Sequence, residues 1–179
     1  MKTKISTFLR SSLLGVLFLV GLHVQNGQAQ LVIVVPQSSP YDSLTVTQLR
    51  HIFRGEPIDG AQQQPIQIIE FKPESEAFYQ RLYGLSRYSI AKYWLRLIFS
   101  GERVTPPKSF SDPDKACRYL CKNGHAISFL PAELYQKLRK SHPIKAVAID
   151  GLTYRDDEYY FNHQSGKRGD EIQGKAASQ

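Results

Sequence analysis

The stretch 65–84 combines a serine, a lysine and the start of a helix, which together could hold a small anion. Residues 66–71 are a β-branched and aromatic run of the kind that forms a buried strand. A polar turn with Lys72 follows, and Ser75 or Glu74 is placed to cap a short helix. Because such a turn points backbone N–H groups at the space above it, we expect Lys72 and Ser75 to contact an anionic ligand. The alternative for Ser75 is a helix cap that binds nothing.

Ser38 and Ser39 are two further candidates for ligand contact. They follow the apolar run 31–35, which also predicts a buried strand, and binding residues are common in loops that follow such strands. An ordinary surface loop would have the same composition. The sequence offers no Ser/His/Asp or Cys/His arrangement, no acid pair at a catalytic spacing and no Gly-rich phosphate loop. We therefore predict a binding protein that is not an enzyme and has no cofactor.

Cys117 and Cys121 lie four residues apart on a predicted helix, so both share one face. We expect small, buried, apolar thiols at these positions. A disulfide is compatible with an oxidising compartment, but a bridge between helix positions i and i+4 strains the bond geometry. Cys117, Cys121 and His125 also have the spacing of metal ligands. Since Gly124 interrupts the helix before His125 and no fourth ligand is evident, we expect no metal.

The first 29 residues have the composition of a secretory signal peptide. Three cations precede the apolar run 13–22, and the sequence Gly-Gln-Ala at 27–29 supplies small residues at the cleavage positions. The alternative is an uncleaved N-terminal anchor, for which the apolar run is short. Cleavage after Ala29 predicts a periplasmic protein whose only membrane contact is its signal peptide.

The charge balance is mildly basic. The formal net charge is +7, from 23 Lys and Arg against 16 Asp and Glu. Three of these cations lie in the first 29 residues, so the rest of the chain carries 20 cations against the same 16 acids. Such an excess gives no case for a nucleic-acid partner. The length suits one domain with a core, predicted at 30–163, followed by a polar tail at 164–179 that is predicted to be disordered.

Strands alternate with helices along the chain, which predicts a three-layer α/β domain. Four predicted helices have recognisable starts: Thr45 with Gln48 in a capping box, Ser86 or Ser89, Ser111 with Asp114, and Pro131. Besides the two strands above, the predicted strands are 126–130, 144–149 and 152–161, and residues 104–110 are predicted to be an extended linker.

Several prominent side chains have a structural rather than a functional interpretation. Arg81 is expected to be a surface charge, and a surface charge without ligand contact is the alternative for Lys72. Trp94 belongs either to the core or to the lining of a groove, and its place in a helical apolar stripe favours the core. Three tyrosines near the end of the domain are expected to pack on it: Tyr154, Tyr159 and Tyr160.

Several short motifs follow one another along the chain in an order that is similar to that of a known family. They are Leu44-Thr45, Leu49-Arg50, Ile52-Phe53-Arg54-Gly55, Pro65-Ile66, Glu74-Ser75-Glu76-Ala77-Phe78-Tyr79, Tyr93-Trp94, Phe99-Ser100-Gly101 and Ala126-Ile127-Ser128-Phe129. This order resembles the phosphate-type periplasmic substrate-binding protein family, in particular its short single-lobe members. The resemblance covers Leu31 to about Phe161. It implies a periplasmic-binding-protein-like lobe with a mixed sheet flanked by helices and, in full-length members, capture of phosphate for an ABC importer.

The sequence departs from the full-length members at the implied anion site. Those members hold the oxyanion with a Gly-Ser-Gly-Thr turn preceded by an arginine, whereas this turn reads Glu-Ser-Glu-Ala at 74–77 and Lys72 is the nearest cation. The family's Gly-Ala-Ile-Gly-Tyr motif becomes His-Ala-Ile-Ser-Phe at 125–129. Two carboxylates at such a turn repel an anion. Two hypotheses remain: an exported module that binds a small oxyanion such as phosphate weakly, and a ligand-free module that docks on an envelope protein or transporter.

Overall fold

The computed structural model describes residues 29–58 and 65–162. The predicted tail and all of the predicted signal peptide except Ala29 lie outside the described residues. Within them, no helix is long and apolar enough to cross a membrane.

The described residues contain seven strands, and five of these form the main sheet. The strands are β1 (Leu31–Pro36), β2 (Ser43–Leu44), β3 (Gln67–Phe71), β4 (Lys108–Phe110), β5 (Ala126–Pro131), β6 (Ile144–Ala146) and β7 (Ala148–Ile149). The main sheet has the order β4-β3-β5-β1-β6. β3 runs parallel to β4 and β5, whereas β1 runs antiparallel to β5 and β6. The sheet is therefore mixed, and all six residues of β1 are buried within it.

Five helices complete the described chain: α1 (Val46–Ile52), α2 (Ser75–Tyr83), α3 (Arg87–Phe99), α4 (Pro113–Lys122) and α5 (Ala132–Leu138). The predicted capping box at α1 is confirmed. The Thr45 hydroxyl accepts a hydrogen bond from the backbone N–H of Gln48 at 3.1 Å, and the Gln48 side chain accepts one from the Thr45 N–H at 2.8 Å. Of the two serines predicted to start α3, Ser86 is the cap.

The predicted start of α4 at Ser111 is wrong by one residue. The cap is Asp112, whose carboxylate accepts a hydrogen bond from the Lys115 N–H at 3.1 Å. Pro113 occupies the first helical turn and disfavours a helical conformation at the residue before it, so Asp112 stays extended and serves as the cap. The predicted linker 104–110 is also partly wrong, because its last three residues form β4 beside β3.

The last part of the domain is more irregular than predicted. Residues 144–149 form two short strands on either side of Val147: β6 pairs with β1 in the main sheet, and β7 pairs with β2 in a second, parallel pair. The predicted strand 152–161 is wrong. Its start makes a single bridge to Ile149, and the Asp156 carboxylate then accepts a hydrogen bond from the Thr153 N–H at 2.7 Å, which closes a turn.

Aromatic rings join the sheet to the helices. Phe78 of α2 stacks on Phe129 of β5, with ring centroids 3.9 Å apart. Phe53, which follows α1, and Phe161, near the end of the described chain, lie 4.6 Å and 5.5 Å from the Phe78 ring. This cluster sits where helices cover the mixed sheet, and the predicted α/β fold class is confirmed.

Candidate functional site

The turn between β3 and α2 contains two of the predicted ligand contacts. A single 3-10 turn at Lys72–Glu74 links the strand to the helix, and α2 begins at Ser75. The Ser75 side chain is fully buried, and its hydroxyl donates to the Phe71 carbonyl at 3.2 Å. Lys72 is exposed beside it. The Ser75 backbone N–H is also engaged, because it donates to the Lys72 carbonyl. The groups of this turn that remain as candidates for an anion are therefore the Lys72 ammonium and the backbone N–H groups that follow Ser75.

The two acidic residues of the turn have different surroundings. Glu74 is half-buried, and its side chain makes no capping hydrogen bond at the start of α2. Glu76 is exposed, and its carboxylate accepts a hydrogen bond from the Arg87 backbone N–H at 2.9 Å. Glu76 thus ties the start of α2 to the start of α3, a role that the sequence did not indicate.

The other two predicted contacts follow β1. Ser38 is exposed, whereas Ser39 is buried and its hydroxyl accepts a hydrogen bond from the Tyr41 N–H at 3.4 Å. Within the part of the chain that the structure describes, no hydrogen bond joins either serine to Lys72 or Ser75. Ligand contact by these four residues stays a prediction.

A groove lies between α3 and the β4 edge of the sheet, and the sequence indicated it only through the alternative interpretation of Trp94. Its volume is about 300 Å³. Its lining comes from β3, α2, α3, the segment before β4, and β4 itself: Glu70, Tyr79, Arg87, Ile90, Ala91, Trp94, Leu95, Ile98, Pro106, Pro107 and Ser109. A signal for it existed in Glu70, a carboxylate in an otherwise apolar strand run, which requires a partner when buried.

The polar end of the groove is built around Glu70. The residue is 5% exposed, and its carboxylate accepts hydrogen bonds from the Ser109 hydroxyl and from Nε of Arg87, the latter at 3.3 Å. Two buried donors of the lining, the Tyr79 hydroxyl and Nε1 of Trp94, have no hydrogen-bond partner among the described residues. Burial raises the pKa of Tyr79 above its usual value and nearby Glu70 raises it further, so the hydroxyl stays protonated and able to donate.

The outer wall of the groove is an exposed apolar helix face. Four large apolar side chains of α3 face solvent: Tyr88, Leu95, Ile98 and Phe99, with exposed fractions of 68%, 51%, 45% and 85%. We call these four residues the α3 surface. Leu95 and Ile98 also line the groove, so the surface and the groove are continuous.

Several other predicted roles are resolved by burial. Arg81 was predicted to be a surface charge, and this is wrong: the residue is 6% exposed and Nη1 donates to the carbonyls of Ala29 and Phe161, both at 2.9 Å. Trp94 is buried, as expected, and also lines the groove. The three tyrosines pack on the domain as expected, since Tyr154 and Tyr159 are buried and Tyr160 is half-buried.

The two cysteines are free thiols in the structure. Cys117 is buried as predicted, whereas Cys121 is only half-buried, and its thiol lies 3.8 Å from the Pro143 carbonyl. Burial raises the pKa of the Cys117 thiol to about 12. In the described ranges, no group of His, Cys, Asp or Glu is placed to hold a metal ion.

The fold was compared with known proteins. No protein-family model and no curated protein matches the chain. Among solved structures, it is similar to an ABC-type phosphate transport receptor from Vibrio cholerae, with a TM-score of 0.54 and 18% identity over 84% of this chain and 64% of that one. It is also similar to a protein described as a possible phosphate binding protein from Planctomyces limnophilus, with a TM-score of 0.49 and 13% identity over 67% of this chain and 41% of that one.

A third similar structure is provisionally described as a phosphate ABC transporter substrate-binding protein with bound phosphate, from Clostridium perfringens. Its TM-score is 0.47, at 17% identity over 69% of this chain and 46% of that one. The chain thus spans less than two thirds of each of these three proteins. At such identities the likeness to the Vibrio cholerae receptor shows the fold, and that fold is the periplasmic-binding-protein lobe that the motif order implied.

Proposed function

We propose that this chain is an exported, periplasmic binding module of the substrate-binding-protein type. It has no catalytic role, and it takes a small oxyanion such as phosphate weakly at the start of α2. The observation that carries the proposal is the β3–turn–α2 unit. It places a helix start and the exposed Lys72 ammonium at the carboxyl end of a parallel strand, where α/β sheets bind ligands.

Binding at this turn is weak because its donors are few and its acids are close. The Ser75 hydroxyl already donates to Phe71, and Glu74 and Glu76 flank the helix start. A helix start favours a negative charge by about 0.3–1 kcal/mol when exposed. A carboxylate about 4 Å from an anion opposes this by up to about 4 kcal/mol at an effective dielectric constant of 20.

Calorimetric titration with phosphate at low salt tests the proposal. The wild type should bind with a dissociation constant in the millimolar range, and Glu74→Gln should bind about two- to fivefold more tightly, because removal of one partly exposed charge changes binding by about 0.5–1 kcal/mol. Glu133→Gln is the matched control, because Glu133 is an exposed acid in the first turn of α5. Micromolar binding by the wild type, or equal effects of the two substitutions, would refute this account.

Glutamine rather than glycine is the informative replacement at position 76. The Glu76 carboxylate accepts the hydrogen bond from the Arg87 N–H, so Glu76→Gly would remove an acceptor from the start of α3 together with the charge. Glu76→Gln keeps an acceptor oxygen and removes only the charge. It should strengthen phosphate binding as Glu74→Gln does, without a change in the free energy of unfolding beyond about 0.5 kcal/mol.

A second candidate function is docking on another protein of the cell envelope, such as a transporter component. The α3 surface is the observation that favours it, because four large apolar side chains cluster there in contact with solvent. This candidate is compatible with weak oxyanion binding, since the α3 surface and the start of α2 involve different residues.

A further inference from the structure

We propose that the α3 surface and its groove dock an amphipathic, acidic segment of another protein, with an apolar side chain of that segment inserted in the groove. The inference rests on the docking function proposed above and does not depend on oxyanion binding.

The exposed apolar residues of α3 form one continuous surface. Single exposed apolar side chains are normal on soluble proteins, but contiguous ones mark interaction sites. Tyr88 and Leu95 are seven residues apart, and Ile98 is three residues further along, so the three lie on one side of the helix. Phe99, next to Ile98, is 85% exposed, which is the largest exposure among the large apolar side chains of the described residues.

The groove has the character of a pocket for a peptide. Its walls are apolar, and its volume of about 300 Å³ is enough for one large side chain. Two of its lining residues, Tyr79 and Trp94, are buried and carry side-chain donors that lack a partner among the described residues. A peptide suits such a groove, because one of its apolar side chains can fill it in the way that anchor residues do at protein interfaces.

The charges around the α3 surface specify an acidic occupant. Residues 85–109 contain five cations, Arg87, Lys92, Arg96, Arg103 and Lys108, and a single acid, Glu102. The other described residues hold equal numbers of Lys/Arg and Asp/Glu, so the positive excess of the described chain lies in this one region. Arg87 is offset by Glu70, and Lys108 lies over the Tyr119 ring of α4. Lys92 and Arg96 are exposed on α3 itself, and the Lys92 ammonium lies over the Tyr88 ring. Carboxylates that flank an apolar anchor would complement them.

Charge, apolar content and the shape of the groove argue against the other occupants. A second copy docked through this surface would bring two cationic regions together, which disfavours self-association. The chain's own segment 163–179 offers Ile172 as its one large apolar side chain, and segment 59–64 offers none. An anionic bilayer would attract the cations, but a flat surface leaves the groove unfilled.

The single tryptophan makes the test direct. Trp94 is the only tryptophan of the sequence and lines the groove, so its fluorescence reports occupancy. Protein purified from the cell envelope would be titrated with two designed 15-residue peptides that lack aromatic residues. Both peptides carry the same leucine face, and the opposite face is glutamate in one and lysine in the other. The Trp94 emission is also measured with anionic lipid vesicles, which tests for a membrane, and with the protein alone over a range of concentrations, which tests for a second copy.

The acidic peptide should change the Trp94 emission saturably, and it should bind at least tenfold more tightly than the lysine peptide at low salt. The variant Lys92→Glu/Arg96→Glu should weaken binding of the acidic peptide about tenfold, since each reversed surface charge should weaken it about threefold. Lys137→Glu/Lys140→Glu, at exposed positions in and after α5, is the matched control and should leave binding unchanged. Leu95→Ser should weaken both peptides, whereas Leu85→Ser, at a similarly exposed leucine outside the groove, should not.

Equal binding of the two peptides, or dissociation constants above 1 mM for both, would overturn the proposal. A Trp94 response to vesicles alone would assign the surface to a membrane, and a concentration-dependent response without peptide would assign it to a second copy; either result would also overturn the proposal.

Photo-cross-linking in the envelope separates this inference from the docking function. Cross-links from position 136 on α5 but not from position 99 would retain docking and reject the α3 surface, and cross-links from neither would reject docking.

Discussion

Gly55 provides the sharpest test of how the helices pack. It follows α1 with φ +76°, in the left-handed region that favours glycine. A Cβ atom at this position would lie 2.6 Å from Cη2 and 3.0 Å from Cζ3 of Trp94. Since the Trp94 ring is buried between α3 and the rest of the domain, it cannot move aside without a change in packing. We therefore expect Gly55→Ala to destabilise the protein strongly.

The size of the effect can be worked out from a second glycine. Gly84, at the end of α2, has φ +68° and no atom within 4 Å of a Cβ placed on it. Gly84→Ala should therefore lower the free energy of unfolding by the backbone cost alone, about 1–2 kcal/mol. Gly55→Ala has the same backbone cost and adds overpacking of about 1–3 kcal/mol. The sum, about 2–5 kcal/mol, is a large part of the stability of an ordinary domain.

Urea unfolding followed by circular dichroism measures both variants, and Trp94 fluorescence provides a second probe. Gly55→Ala should lower the urea midpoint by about 1–2 M, roughly twice the shift of Gly84→Ala. It should also shift the Trp94 emission of the native protein, which Gly84→Ala should leave unchanged. If the two alanine variants lost equal stability, the contact between Gly55 and Trp94 would not constrain the fold and the reasoning would be wrong.

Three further predictions concern burial and processing. Arg81→Met should lower the free energy of unfolding by about 1–3 kcal/mol, because it leaves the buried Phe161 carbonyl without its charged donor, whereas Arg139→Met at an exposed position should change it by less than about 0.5 kcal/mol in the same urea titration. At pH 8.5, well below the raised pKa of Cys117, a thiol reagent should label Cys121 first and leave Cys117 unlabelled until the protein unfolds; equally fast labelling of both would contradict its burial. The intact mass of the envelope protein should correspond to a chain without residues 1–29, and a mass that includes them would disprove cleavage.

Local signals in the sequence were sufficient for most of the element starts. The capping box of Thr45 and Gln48 operates within three residues, so its pattern determines where α1 begins regardless of the rest of the fold. Apolar runs likewise predict β1 and β5, because strands buried on both faces need continuous apolar residues. The prediction failed at 152–161, where Tyr154, Tyr159 and Phe161 supplied the composition of a strand while a local turn decided the conformation.

The candidate sites were less predictable because they depend on contacts between distant segments. The inward orientation of the Ser75 hydroxyl is set by its neighbour Phe71, but the burial of Arg81 depends on carbonyls 52 and 80 residues away along the chain. The groove likewise joins Glu70 and Ser109, which are 39 residues apart and come together only because β3 and β4 pair. No pattern of spacing in the sequence encodes such pairing.

The position of β1 has a consequence for the order in which the chain can fold. This interior strand lies near the start of the described residues, yet its partners lie far along the chain: Ile33 is opposite Phe129, and Val34 is opposite Ala146. A chain synthesised from its N-terminus therefore holds an unpaired, wholly apolar strand until about a hundred more residues have emerged. The sheet closes late, which is compatible with the proposed export in unfolded form. During that interval β1 is an exposed apolar segment of the kind that aggregates unless it is protected.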